Sequence, residues 1–158
     1  IGPCTAKKYE QKLPNVSPWV DCVITFEELQ AMLDAAGFPP EEQEDLPVDD
    51  ASYFGRIFAR VGGLSEAVAQ SAKEQGLDIK PNPVVCSGID ECKVALLKAK
   101  MGKLSENFIE GMACAGGCIN GAGTVSHTQR DRTMVEKFGR ETRKESINMS
   151  VKSYQTKF

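Results

Sequence analysis

Short apolar runs alternate with amphipathic stretches along the first part of the chain. Residues 20–24 form an apolar run that predicts a strand. Thr25 and Glu28 follow in a capping-box pattern that opens a helix, with apolar residues at helical spacing as far as Ala36. Gly37, followed by two prolines, ends that helix. The sequence thus predicts a strand followed by a helix.

The same alternation returns further along the chain. Gly62 and Gly63 precede a predicted helix with small apolar residues on one face, and such a glycine pair could also let an anion or a cluster approach the helix. Residues 83–86 and 107–112 predict strands on either side of a helix at residues 89–101. Strands that alternate with helices favour a parallel sheet. We therefore predict an α/β fold with a small, mainly parallel sheet flanked by helices.

Two segments depart from this pattern. Residues 41–50 are acidic, contain proline and lack periodicity, so they predict a surface loop. Residues 128–145 are strongly charged and carry only a narrow apolar stripe, which predicts an exposed helix. The last dozen residues carry no usable pattern. We divide the chain into a domain at residues 1–125 and a charged helical extension at residues 126–158.

Composition narrows the class of protein. The chain has 158 residues, 41% of them hydrophobic, which suits one globular core. A net charge of -3 and a pI near 5.3 disfavour binding to nucleic acid. No apolar run approaches the ~18 residues that a membrane span needs, so we predict a soluble, intracellular protein. Because the chain opens on Ile1 and its first cysteine precedes every predicted element, we expect a piece of a longer protein.

The residues that point to chemistry lie in a glycine-rich segment after the last predicted strand. Cys114 and Cys118 are four positions apart and are surrounded by glycines that allow close backbone approach. Soft thiolates suit iron-sulfur clusters and zinc. Alone, this spacing would fit a structural thiol pair or half of a zinc site as well as a metal-cluster loop.

A second motif near the start of the chain changes this picture. Cys4 is followed by Lys7 and Glu10, three and six positions later. This resembles the second signature of the iron-only (di-iron) hydrogenases, and residues 110–118 resemble the third signature of the same family. The resemblance covers residues 1 to about 125, while the family's first signature is absent from this chain.

The resemblance implies a role for each matching residue. Cys4, Cys114 and Cys118 would be three of the four ligands of a 4Fe-4S cubane, and Cys118 would also bridge to the di-iron unit. Lys7 would donate to a cyanide ligand, and Glu10 would hold Lys7 or the loop backbone. The remaining side chains of the pocket wall would be Met112 and Phe58.

The resemblance also implies an activity and its partners. The parent protein would be an oxygen-sensitive hydrogenase of an anaerobic cytoplasm, exchanging electrons with a ferredoxin-like carrier. The fourth ligand would come from a missing N-terminal lobe, so we expect this chain alone to be inactive and to bind no complete cofactor. We expect its cluster cysteines to be free thiols near one another, and its exposed apolar face to allow a homodimer.

Two alternatives remain open. Gly2 and residues 121–125 depart from the pattern of the fast enzymes and are more similar to hydrogen-sensing members of the family. An iron-sulfur assembly protein without the di-iron unit is the other alternative, although Lys7 would then have no cyanide to bind.

The other cysteines and the single histidine receive structural interpretations. We expect Cys22 and Cys86 to be small buried side chains in strands, and Cys92 to lie on a helix away from the metal. We expect His127 to be an ordinary loop residue.

Overall fold

A two-stranded parallel sheet lies at the centre of the protein, in a computed structural model that describes residues 1–44, 46, 50–128 and 130–155. Strand β1 spans Pro83–Ser87 and strand β2 spans Phe108–Met112, and Cys86 lies opposite Gly111 in the register. Both strands and their parallel pairing confirm the sequence prediction, as does the α/β class.

Helices make up most of the remaining regular structure. In chain order they are α1 (Lys7–Glu10), α2 (Phe26–Ala35), α3 (Tyr53–Arg56), α4 (Gly63–Glu74), α5 (Ile89–Lys100), α6 (Asp131–Arg140) and α7 (Ile147–Gln155), with 3-10 turns at Pro40–Glu42 and Cys118–Asn120. Helix α5 connects β1 to β2 and packs against both strands. The connection is a β-α-β unit, as the alternating pattern predicts.

The segment before α2 is where the prediction fails. Residues 20–24 are not a strand, because their backbone groups bond to loops instead: the Ile24 carbonyl accepts from Gly2 N at 3.0 Å. Cys22 is exposed, so its predicted burial is wrong as well. The capping box at Thr25 and Glu28 is confirmed.

The hydrophobic core is thin for a chain of this length. Among the described residues, the buried apolar side chains are Ile57, Ala67, Ala72, Cys86 and Ala95. The solvent-accessible surface is 11346 Å², whereas a compact monomer of this mass exposes about 7,800 Å². Helices α2 and α5 leave much of their apolar surface in solvent, including Met32 and Leu97.

The C-terminal residues form two helices instead of one. Helix α6 is shorter than the predicted residues 128–145 and packs on α3, while α7 packs on α4 in a region without a sequence prediction. Glu74 accepts hydrogen bonds from the backbone N–H groups of Ile147 and Asn148, at 3.0 and 2.9 Å, and so caps α7.

The predicted acidic loop can be compared with the structure only in part. In the predicted acidic loop, residues 45 and 47–49 lie outside the described residues, while residues 41–44 are exposed.

Within the part of the chain that the structure covers, every helix is too short or too polar to cross a bilayer.

Candidate metal-cluster site

The two loop cysteines lie in a segment, residues 113–123, that we call the cysteine loop. It leaves the carboxyl end of β2 and turns at Gly117, whose φ of 105° favours glycine. A Cβ atom on Gly117 would come within 2.6 Å of the Ala59 carbonyl oxygen. Ile119 N donates to that same oxygen at 3.0 Å, and Val61 N donates to the Gly116 carbonyl at 3.1 Å. These two hydrogen bonds hold the cysteine loop against residues 59–61, which precede α4.

The far end of the cysteine loop lies against the start of the chain. Gly123 N donates to the Pro3 carbonyl at 3.0 Å, and a Cβ on Gly121 would come within 2.3 Å of the same oxygen. Only glycine permits this approach. It brings Cys4, the next residue, to the cysteine loop.

Three cysteines lie close enough for their charges to interact. They are Cys4, Cys114 and Cys118, which we call the cysteine trio. Burial raises the pKa of the Cys118 thiol, and the neighbouring Cys114 and Cys4 raise it further. Lys7 opposes them by stabilising the thiolate. All three cysteines are free and partly exposed.

The trio fits part of a cluster site. Three soft thiols and a glycine-lined backbone are the donor chemistry that an iron-sulfur cluster requires. In the described ranges, no group of three cysteine, histidine or acidic side chains is arranged to hold a metal ion by itself. The match is therefore one of donor chemistry: the three thiols are the right kind of ligand, and the described residues do not form a complete metal site.

Lys7 and Glu10 lie together on α1, one turn apart. The Lys7 ammonium donates to Glu10 Oε2, and this hydrogen bond is the largest cause of the raised pKa of Lys7. Cys4 and Cys118 also raise the pKa of Lys7. Lys7 is therefore an exposed cation that pairs with Glu10 and interacts electrostatically with two cysteines of the trio.

Met112 and Phe58 occupy different surroundings. Met112 ends β2, and its Sδ lies 4.0 Å from Cys118 Sγ, which places it at the site. Phe58 instead lines an apolar cavity of about 450 Å³ together with Ile147 and Val151 of α7, and no cysteine lines that cavity. The predicted role of Phe58 beside the di-iron unit stays a prediction. His127 is an exposed loop residue.

Glu110 is a structural residue of the site that sequence reasoning missed. Its carboxylate is 1% exposed and accepts the backbone N–H groups of Gly62 and Ser65, both at 2.8 Å. From Gly62 and Gly63, the start of α4 was a possible approach for an anion or a cluster. In the structure, the Glu110 carboxylate already occupies that position. The sequence contained one signal for this role: Glu110 is an acidic residue inside an otherwise apolar strand. A charge buried there must be paired with hydrogen-bond donors.

A family model matches the sequence over most of the chain. The model describes the iron only hydrogenase large subunit, C-terminal domain, and it matches residues 1–122. The chain belongs to the iron-only hydrogenase family. The match contains the whole trio and both signatures, so the resemblance inferred from the sequence is confirmed.

Individual relatives support the same family. The hydrogenase domain is 33% identical to Iron hydrogenase 1 of Clostridium pasteurianum over 86% of this chain and 30% of the relative. It is 31% identical to the periplasmic [Fe] hydrogenase large subunit of Nitratidesulfovibrio vulgaris, over 78% of the chain and 37% of the relative. A human protein, nuclear prelamin A recognition factor, is 27% identical over 78% of the chain and 35% of its own length. The chain spans about a third of each of these relatives.

Proposed function

We propose that this hydrogenase domain supplies three of the four thiolate ligands of a 4Fe-4S cubane in a protein that interconverts hydrogen with protons and electrons. The observation that carries the proposal is the convergence of Cys4, Cys114 and Cys118 with Lys7 in a glycine-lined loop. Cys118 is the most strongly placed of the three, because its thiol interacts with both other thiols and with the lysine. We assign it the bridge to the di-iron unit.

The protein side chains hold and screen the group in this proposal. When bound, the combined cluster supplies the redox chemistry of proton reduction and hydrogen oxidation. Lys7 offers a fixed positive charge to an anionic ligand such as cyanide, and Glu10 keeps that ammonium in place until the ligand competes for it. Met112 would cover part of Cys118 on the β2 side, where the two sulfurs lie 4.0 Å apart.

The chain is proposed to be one lobe of the complete catalytic unit. A fourth ligand is needed, the surface is nearly half as large again as that of a compact monomer, and the relatives are about three times longer. We therefore expect the chain alone to be inactive. We propose that residues 126–158 are an extension, whose helices α6 and α7 pack on α3 and α4. A ferredoxin-like electron carrier and a cytoplasmic site belong to the same proposal.

A hydrogen sensor is the second candidate. Its support comes from the departures at Gly2 and residues 121–125. A Cβ added to Gly2 would meet no atom within 4 Å, so the space for a larger side chain is open at this edge of the site. A sensor of this kind would bind the same group and turn over slowly.

An iron-sulfur assembly factor is the third candidate. A relative from Brugia malayi, 25% identical over 79% of this chain, is named a probable cytosolic Fe-S cluster assembly factor. Lys7 separates this candidate from the others, since an ammonium placed for cyanide has no role without the di-iron unit. Loss of hydrogen chemistry in Lys7→Met, with the cubane retained, would favour the hydrogenase or the sensor.

Hydrogen production by the complete protein that contains this chain tests the proposal. Cys118→Ser should lower the rate at least 100-fold, because a hydroxyl is a poor ligand for cluster iron. Cys22→Ser is the matched control, since Cys22 is exposed and lies outside the trio, and its rate should stay within twofold of the wild type. Equal effects of the two substitutions would contradict the proposal. A wild-type protein with hydrogen-dependent signalling and very slow turnover would favour the sensor.

A further inference from the structure

Cys86 and Cys92 lie on the same face of the sheet, away from the trio. Cys86 is in β1 and pairs in register with Gly111 of β2, so a side chain on Gly111 would lie beside that of Cys86. A Cβ added to Gly111 would lie 3.3 Å from Cys92 Sγ. The sulfur of Cys92, in the first turn of α5, therefore lies over the strand position next to Cys86.

This arrangement places the two cysteines next to each other. The Cys92 sulfur contacts the Cβ position of Gly111, and Gly111 is the strand neighbour of Cys86, about 4.8 Å away across the sheet. Burial raises the pKa of the Cys86 thiol, and the adjacent Cys92 thiol raises it further. A peptide segment of only five residues separates the pair, and it includes the turn at Gly88, where φ is 104°.

The two thiols differ in access. Cys86 is 2% exposed, whereas Cys92 is partly exposed. A dissolved oxidant therefore meets Cys92 first, and Cys86 is held behind it. This is the arrangement of a peroxidatic thiol with a resolving thiol beside it.

We propose that Cys86 and Cys92 form a redox modification site that a hydroperoxide converts to an intrachain disulfide. In the first step the Cys92 thiolate attacks the peroxide, whose O–O bond breaks, giving Cys92 sulfenic acid and water or an alcohol. In the second step Cys86 attacks the sulfenic sulfur, its proton leaves with the hydroxyl group as water, and the S–S bond forms. The two thiols are oxidised by two electrons in total, and the peroxide is reduced by two. A dithiol reductant reverses the change.

The pair has a structural route to the candidate cluster site. Cys92 Sγ lies 3.7 Å from the Met112 carbonyl oxygen, to which it donates, and Met112 Sδ lies 4.0 Å from Cys118 Sγ. Conversion to a disulfide removes the Cys92 S–H donor and leaves that carbonyl with the hydrogen bond from Gly88 N, at 2.8 Å. Oxidation at the start of α5 therefore acts on the end of β2, where the cysteine loop begins.

Peptide mapping of the whole chain after peroxide treatment tests this site. The reduced chain is exposed to hydrogen peroxide, free thiols are alkylated, and the chain is cut with trypsin, which leaves both cysteines in one peptide, residues 74–93. A second cut after Glu91 separates them unless a disulfide holds the products together. We expect the products to remain joined and to separate on reduction. Cys92 as a sulfenic or sulfinic acid, with Cys86 still open to alkylation after denaturation, would overturn the proposal.

Two variants show that the link is specific to the pair. In Cys92→Ser no joined product should form, and Cys86 should be alkylated only after denaturation. In Cys22→Ser the link should form at the wild-type rate, because Cys22 is exposed on a separate loop. A link from Cys92 to any other cysteine in the wild-type chain would also overturn the proposal. The result does not depend on the role of the trio, so its failure is distinct from failure of the proposed function.

Discussion

At the scale of single residues, Glu110 connects the strand that leads into the cysteine loop with the helix that begins beside it. Its carboxylate satisfies two backbone N–H groups at the start of α4, where the unpaired donors of a helix gather. Those donors and the carboxylate are shielded from water together. The position of β2 relative to residues 59–63, which the loop also contacts, therefore depends on this side chain.

Replacement of this carboxylate should destabilise the protein. Glu110→Gln keeps the shape of the side chain but replaces one acceptor oxygen with an N–H₂ group, which cannot accept from a backbone N–H. One buried donor then loses its partner, so we expect the free energy of unfolding to fall by about 2 kcal/mol. Urea denaturation measures the change. The matched control is Glu27→Gln on the exposed surface of α2, with an expected change within about 0.5 kcal/mol. Equal stability of Glu110→Gln and the wild type would show that the buried carboxylate does not anchor α4.

The residues of the cluster site could largely be found from the sequence. Cys4, Lys7 and Glu10 are close in the chain, and their spacing alone places Lys7 and Glu10 one helical turn apart. Glu110 and its partners are more than forty positions apart, and no local pattern shows which helix a buried carboxylate will cap. Phe58 shows the same limit, since its neighbours in the apolar cavity include residues of α7, a helix that is not predicted from the sequence.

At the scale of elements, a buried ion-pair network attaches α6 to α3. Glu136 accepts from Tyr53 Oη at 2.5 Å and from Arg60 Nε at 2.9 Å, and Arg60 is 4% exposed. Arg60 also pairs with Glu66 of α4, at 2.8 Å. Gly139 lies directly on this contact, because a Cβ there would come within 2.9 Å of Ile57. The network determines where the extension sits on the domain.

Acid should loosen this attachment. The Tyr53 hydrogen bond, together with Arg60, lowers the pKa of Glu136 from its ordinary value of 4.5. A lowered folded-state pKa means that its stabilisation is present above pH 4.5 and is lost as the pH falls through the folded value. Glu136→Gln should cost about 2 kcal/mol at neutral pH and much less in acid.

Urea denaturation at neutral and acidic pH measures this dependence. Glu141→Gln, an exposed carboxylate directly after α6, is the matched control and should leave the pH profile unchanged. A cost for Glu136→Gln that is the same at both pH values would rule out the charge of Glu136 as the source of the attachment.

The elements differ in how well the sequence predicts them. Strands β1 and β2, helix α5 and the capping box of α2 follow from local periodicity and cap residues, and each of them is present. Residues 20–24 have the composition of a strand, yet a strand also needs a neighbour, and their backbone bonds to loops. Helix α7 is capped by Glu74, which lies more than seventy positions away, so its start could not be read from the local sequence.

At the scale of the whole molecule, the chain has the surface of a part that packs against something else. Its accessible surface of 11346 Å² exceeds the expected value by several thousand Å². Large apolar side chains are among the exposed residues: Trp19 is 84% exposed, and α2 and α5 carry further ones. The proposed function expects the site to be incomplete as well, with three thiols for a four-ligand cluster. The predicted homodimer through this surface stays a prediction.

The iron and sulfide content of the chain after anaerobic reconstitution tests the central claim most directly. The account predicts that the chain binds fewer than four irons, that Cys4→Ser, Cys114→Ser and Cys118→Ser each reduce the amount bound, and that Cys22→Ser leaves it unchanged. This follows if the trio supplies three ligands and the fourth comes from outside the chain. A complete four-iron, four-sulfide cluster in this chain alone, or iron binding that survives loss of Cys118, would contradict it.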